Sequence, residues 1–168
     1  MEIYLIRHGI AADRGSYDRD EDRPLTDKGR QRTTKVALRL HEIGLRFETI
    51  LTSPLVRAQQ TAKILQNVGL GTNVVEFPAL APDGEVRALV NWLEENQSDT
   101  HEVHQRSHRL ALVGHQPDLG NWAEILVWGK TEEKLVVKKA GIIGLQVPQT
   151  EPLGNSELFL LTSPKWLI

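Results

Sequence analysis

Short continuous apolar runs alternate along this chain with stretches in which apolar residues recur every three or four positions. Ile3–Ile6 is an apolar run stopped by Arg7 and broken at Gly9, which predicts a strand buried on both faces. Residues 11–24 are polar, with Gly15 and four Asp. They predict a long exposed loop, and long loops in compact domains are often functional. Thr26 reads as an N-cap; Val36, Leu40 and Ile43 follow at helical spacing, and Gly44 ends the helix. Phe47–Thr52 predicts a second strand. Ser53-Pro54 predicts a helix start, a capping hydroxyl with proline at the first helical position. Ala58, Ala62 and Leu65 continue that helix to Gly69.

Asn73–Phe77 predicts a third strand, and Val86–Glu95 a helix with Val86, Leu89, Val90 and Leu93 on one face. Residues 98–108 read as polar loop. Leu110–Val113 is a fourth buried strand ended by Gly114, and Leu119–Trp128 is helical. Ile142–Val147 and Leu158–Leu161 predict a closing hairpin across residues 148–156. Strands that alternate with helices indicate a three-layer α/β/α sandwich with a mostly parallel sheet. The two C-terminal strands leave open a mixed sheet.

A length of 168 residues with no linker-like stretch and no internal repeat predicts a single domain over 1–168. Apolar residues at 40% and charged residues at 25% fit a globular chain. Twenty Lys and Arg against 22 Asp and Glu leave net charge −2. No global basic field points to nucleic acid or an anionic membrane, so any anion site is local. With no cysteine, disulfide scaffolds, thiol nucleophiles and thiolate metal sites are excluded. No membrane-length apolar stretch and no leader is visible, so the cytoplasm is the expected compartment.

Ligands of open α/β sheets sit beyond the carboxyl ends of the strands. The first strand delivers Arg7-His8-Gly9, the second Ser53-Pro54 and then Arg57, the fourth Gly114-His115-Gln116-Pro117. Two arginines and two histidines therefore converge on one edge. Arginine forks match phosphate oxygens, and a histidine is the available nucleophile or acid–base group. The constellation suits a small dianion, phosphate foremost. Taken singly each residue has a blander reading, a turn, a solvated helix arginine or a core histidine; the joint placement is what carries weight.

Leu5-Ile6-Arg7-His8-Gly9, Leu25-Thr26-Asp27-Lys28-Gly29, Thr52-Ser53-Pro54-Leu55-Val56-Arg57-Ala58, Thr61-Ala62 and Val113-Gly114-His115-Gln116-Pro117 together resemble the histidine phosphatase superfamily, with its phosphoglycerate mutase-like fold. The short length, Asp22-Arg23-Pro24-Leu25-Thr26, Leu80-Ala81-Pro82-Asp83-Gly84-Glu85 and Thr162-Ser163-Pro164 resemble its SixA-type phosphohistidine phosphatases. The resemblance implies that His8 attacks phosphorus and becomes a transient phosphohistidine. It implies that Arg7, Arg57 and His115 hold the phosphoryl oxygens, and that water releases phosphate without metal or cofactor. His8 must be neutral to attack, and neighbouring Arg7 and Arg57 favour that. His115 would serve best protonated, a form that a bound dianion favours.

The chain departs from the mutase pattern at the proton donor. No residue of the short 76–85 segment stands out as the glutamate those enzymes carry; Glu85 is a candidate but reads rather as a helix-dipole partner, Asp83 reads as a turn residue, and Asp83, Glu85 or an acid of the Asp13–Asp22 loop folding over the site is the open alternative. An alkoxide leaving group needs an acid, whereas imidazole departs easily near neutral pH. The SixA resemblance implies phosphohistidine on a signalling protein as substrate, and the leaving-group argument points the same way. The alternatives are a small-molecule phosphomonoester and, in another class, a phosphoprotein-binding module without turnover. Arg23 is a further candidate phosphate contact. His101, His104 and His108 have metal-like spacing but read as solvated loop, and Trp92, Trp122, Trp128 and Trp166 as packing residues. Residues 130–139 read as a solvated helix end, and the oligomeric state is not legible.

Overall fold

In the computed structural model, which describes residues 1–96 and 108–168, one six-stranded sheet runs through the molecule. Its strands are β1 (Glu2–Arg7), β2 (Thr49–Thr52), β3 (Asn73–Glu76), β4 (Arg109–Gly114), β5 (Ile142–Gln146) and β6 (Glu157–Thr162), in the order β3-β2-β4-β1-β5-β6. The four strands β3, β2, β4 and β1 are mutually parallel, and β5 and β6 add antiparallel to β1. The sheet is thus mixed, with the C-terminal hairpin as its antiparallel part.

The helices are α1 (Asp27–Glu42), α2 (Val56–Val68), α3 (Val86–Glu95) and α4 (Asp118–Trp128). Alternation along β1 shows the layering. Ile3 and Leu5 join the core that includes Leu89 of α3 and Leu126 of α4. Tyr4 and Ile6 join the core that includes Leu40 of α1 and Leu65 of α2. Helices therefore cover both faces, which is why β1 and β4 read as continuous apolar runs. Thr26 caps α1, its hydroxyl accepting the Gly29 N–H at 3.0 Å.

The structure corrects four local expectations. Ile43 is the C-cap of α1 and more than half exposed, off the apolar face. Helix α2 begins at Val56 after an uncapped Leu55, so Ser53 is not its cap. Trp128 and Trp166 are 47% and 79% exposed; the first stands at the end of α4 and the second in the 3-10 turn Pro164–Trp166, and neither joins the two hydrophobic cores. Residues 130–141 are neither helix nor strand. They are gathered by Glu124 of α4, whose carboxylate accepts the N–H groups of Glu132, Glu133, Lys134 and Leu135. Among the described residues no helix is long and apolar enough to cross a membrane.

Candidate active site

Beyond the carboxyl ends of β1, β2 and β4 lies a cavity of about 460 Å³ lined by Arg7, His8, Arg57 and His115, together with Arg23 and Asp20. Parallel pairing places Arg7 against Gly114 and Thr52 against Val113. That register brings the three strand ends level, so residues far apart in sequence meet.

The segment leaving β1 is clamped from several sides. The His8 N–H donates to Gly114 O at 3.1 Å, and the Gly9 N–H donates to Thr61 Oγ1 at 3.1 Å. Thr26 N–H donates to Ile10 O, and Ala11 bridges Leu25. Gly29 lies so close to this segment that a Cβ there would sit 2.0 Å from Ile10 O. The Leu25–Gly29 stretch is thus a mechanical support for His8, with Thr26 and Gly29 as its working parts.

His8 is 6% exposed, and its Nδ1 lies 2.7 Å from Gly9 O. A carbonyl only accepts, so Nδ1 carries the hydrogen and Nε2 carries the lone pair. Burial, then the neighbouring His115, then Arg57 and Arg7 push His8 down to about 3. The arginines act in the expected direction, but burial is the larger cause. The His8 and His115 rings are 5.1 Å apart, centroid to centroid. His115 Nε2 lies 2.8 Å from Ser53 Oγ. Burial, then Arg57, push His115 down to about 4, so it is neutral at pH 7 in the unliganded protein. Its protonated form needs the added charge of an anion.

Arg7 donates through Nη1 to Val137 O at 3.0 Å, which ties it to the strap that Glu124 organises. Gln116 closes the same strap, donating to Leu135 O and accepting from Val137 N–H. Arg57, 4% exposed, donates to Asp20 O at 2.8 Å and to Asp20 Oδ2 at 3.0 Å. Arg23, also buried, donates to Asp20 Oδ1 at 2.7 Å and to Ala12 O at 2.6 Å. One exposed-loop carboxylate therefore bridges two buried guanidinium groups. The hydrogen bond from Arg23, with Arg57 beside it, holds Asp20 below the usual carboxylate range. Among the described residues, Arg7 Nε, Arg57 Nε and His115 Nδ1 are buried without a hydrogen-bond partner.

Five of the six expected residues, Arg7, His8, Arg23, Arg57 and His115, meet in this cavity. Glu85 does not: it is exposed at the N-cap of α3 and outside the lining. The residues that sequence reasoning did not single out are Asp20, Glu124 and Asp118. Ser53 was legible as a hydroxyl at a strand end, but its partner was not. His101 and His104 lie outside the described residues, and His108 pairs with Glu48 at 2.9 Å on the surface.

The family model described as "Histidine phosphatase superfamily (branch 1)" matches residues 3–81. An uncharacterized protein of Picosynechococcus sp. is 52% identical over 170 residues, covering 100% of this chain and 99% of its own. The solved structure of the protein histidine phosphatase SixA complexed with tungstate is similar over 100% of both chains, with TM-score 0.83 and 25% identity. A putative alpha-ribazole-5'-P phosphatase from Escherichia coli matches over 98% of both chains, with TM-score 0.74 and 22% identity, a likeness of fold.

Proposed function

Because the chain belongs to the histidine phosphatase superfamily and has the SixA-type, phosphoglycerate mutase-like architecture, we propose that residues 1–168 act as one phosphatase domain, working through a phosphohistidine on His8. The observation that carries this reading is the His8 ring itself: buried, neutral at pH 7, with Nδ1–H committed to Gly9 O. Nε2 is the nucleophile. Its lone pair bonds to phosphorus as the leaving group departs, and the Gly9 carbonyl stabilises the positive charge that develops on the ring. Arg7 and Arg57 take the phosphoryl oxygens through their remaining N–H groups, and Arg23 extends the cradle. His115 becomes the further donor once the dianion favours its protonation. Water then attacks phosphorus, and His8 leaves as a neutral imidazole because Nδ1 already holds its hydrogen. No step calls on a metal or a cofactor.

The favoured substrate is phosphohistidine on a signalling protein. Full-length similarity to SixA supports it. So does the chemistry of the leaving group, since imidazole departs more readily than an alkoxide. A second reading, a small phosphomonoester, is favoured by the carboxylates Asp83 and Asp118 in the cavity lining. The test compares a phosphohistidine-bearing phosphotransfer domain with 3-phosphoglycerate and sugar phosphates, in the presence of chelator, for wild type and His8→Ala. A His8-dependent rate much higher on the phosphotransfer domain supports the first reading. Preference for the esters selects the second, and loss of all turnover with chelator overturns the metal-free step.

A further inference from the structure

The reaction at His8 needs a proton at the leaving atom whenever that atom leaves as a strong base. Glu85 lies off the cavity. Four carboxylates line it: Asp13, Asp20, Asp83 and Asp118. Asp20 is ion-paired to Arg23 and Arg57, which keep it ionised and turn both its oxygens away from acid duty. Asp13 and Asp83 are exposed to water. Asp118 differs from all three. It is half-buried in the first turn of α4, three residues after His115. Its carboxylate accepts the backbone N–H of Asp83, whose own negative charge stands beside it. Burial and that charge raise Asp118 above the usual carboxylate range.

The turn that carries Asp83 is closely packed. A Cβ on Gly84 would lie 1.8 Å from Ala79 O, and the buried Trp122 indole of α4 donates to Gly84 O at 3.1 Å. The same helix therefore holds Asp118 and the turn that steadies it.

We propose that Asp118 is a further catalytic residue of this site, the group that gives its proton to the leaving atom and recovers one from water. The inference rests on the phosphohistidine mechanism proposed above. In the first step the His8 Nε2–phosphorus bond forms and the bond from phosphorus to the leaving atom breaks. The electron pair stays with the leaving atom, and the Asp118 proton joins it. In the second step the water oxygen bonds to phosphorus, the nitrogen–phosphorus pair returns to His8, and a water proton returns to Asp118. Such a group extends the site to alkyl phosphates, whose alkoxide cannot leave unaided.

The experiment is a leaving-group comparison. Asp118→Asn keeps an acceptor for the Asp83 N–H but has no proton to give. On O-phosphoserine it is expected to lose roughly a hundredfold in kcat/KM, the usual scale of general acid catalysis. On 2,4-dinitrophenyl phosphate, whose phenoxide leaves without a proton, the loss is expected below tenfold, and that reaction doubles as the control for folding. Equal losses on the two substrates, or no loss on O-phosphoserine, would overturn the role of Asp118. Failure of the wild type to form a His8-linked phosphoenzyme from the aryl ester would overturn the mechanism itself, and the inference with it.

Discussion

The two site histidines make folding stability depend on pH between their ordinary and their lowered values, a window whose lower part the carboxylates share. Burial, with His115 beside it, pushes His8 from 6.5 to about 3, and burial, with Arg57 beside it, pushes His115 from 6.5 to about 4. In the unfolded chain each binds a proton below its ordinary value; in the folded chain each stays neutral until near its lowered value. The unfolded state therefore holds more protons between those limits. The stability that each neutral ring contributes is fully present above pH 6.5 and lost as pH falls towards 3 and 4. The slope approaches about 1.4 kcal/mol per pH unit for each histidine once the unfolded ring is protonated, so the descent from pH 6.5 to 4.5 costs about 2 kcal/mol from His8 alone. The assay is urea denaturation at several pH values in that range, in phosphate-free buffer because a dianion would recharge His115. His8→Asn removes one titration, and the quantity read is the slope of unfolding free energy against pH. The variant should fall less steeply than wild type, by roughly half of their common two-histidine loss. Parallel curves would refute the argument, because they would mean that His8 binds its proton as readily folded as unfolded.

Three further outcomes follow from named contacts. Arg57→Ala removes a buried donor from the cradle and should lower steady-state turnover by roughly a hundred- to a thousandfold; a near-normal rate would take Arg57 out of the reaction. Glu124→Gln weakens the carboxylate that gathers four backbone N–H groups, and should lower the unfolding free energy by about 3 kcal/mol in a denaturant titration. Ser53→Ala leaves His115 Nε2 without its oxygen partner and should cost about 1–3 kcal/mol by the same method; an unchanged midpoint would show that the hydroxyl does not hold the ring.

What could be read from sequence was whatever depends on burial or on strand ends. Ile3–Ile6 and Leu110–Val113 are apolar throughout because helices cover both faces of the sheet, and that alone placed His8 and His115 at one edge. Thr26 and Gly29 were visible as a motif, though their part in clamping Ile10 was not. Asp20 was invisible among the other acids of an exposed loop, since only the folded path of residues 13–22 brings it to Arg57. Nothing in the helical stretch Leu119–Trp128 set Glu124 apart. Its partners are backbone groups of an irregular segment, and irregular segments leave no periodic trace. Trp166 misled for the opposite reason: a large aromatic ring is usually packed, and here the 3-10 turn that carries it leaves it 79% exposed.

In the proposed function, selectivity for a phosphoryl group comes from direction more than from net charge. The cavity lining holds five cationic residues, Arg7, Arg14, Arg23, Arg57 and Lys139, and four Asp, on a chain of net charge −2. That balance gives little long-range pull on an anion. Arg7 and Arg57, however, each have part of the guanidinium fixed to the protein, at Val137 O and at Asp20. Their remaining N–H groups are oriented before substrate arrives, and the entropy of ordering them is already lost in folding. Asp20 also offsets the repulsion between two buried cations, and it does so with a single charge. A phosphoryl dianion brings two charges to the same donors, so the exchange of partners at Arg57 runs in its favour. Arg57 is buried and Arg7 partly so, which weakens screening by salt, and in this reading the site discriminates by the geometry of its donors rather than by a field.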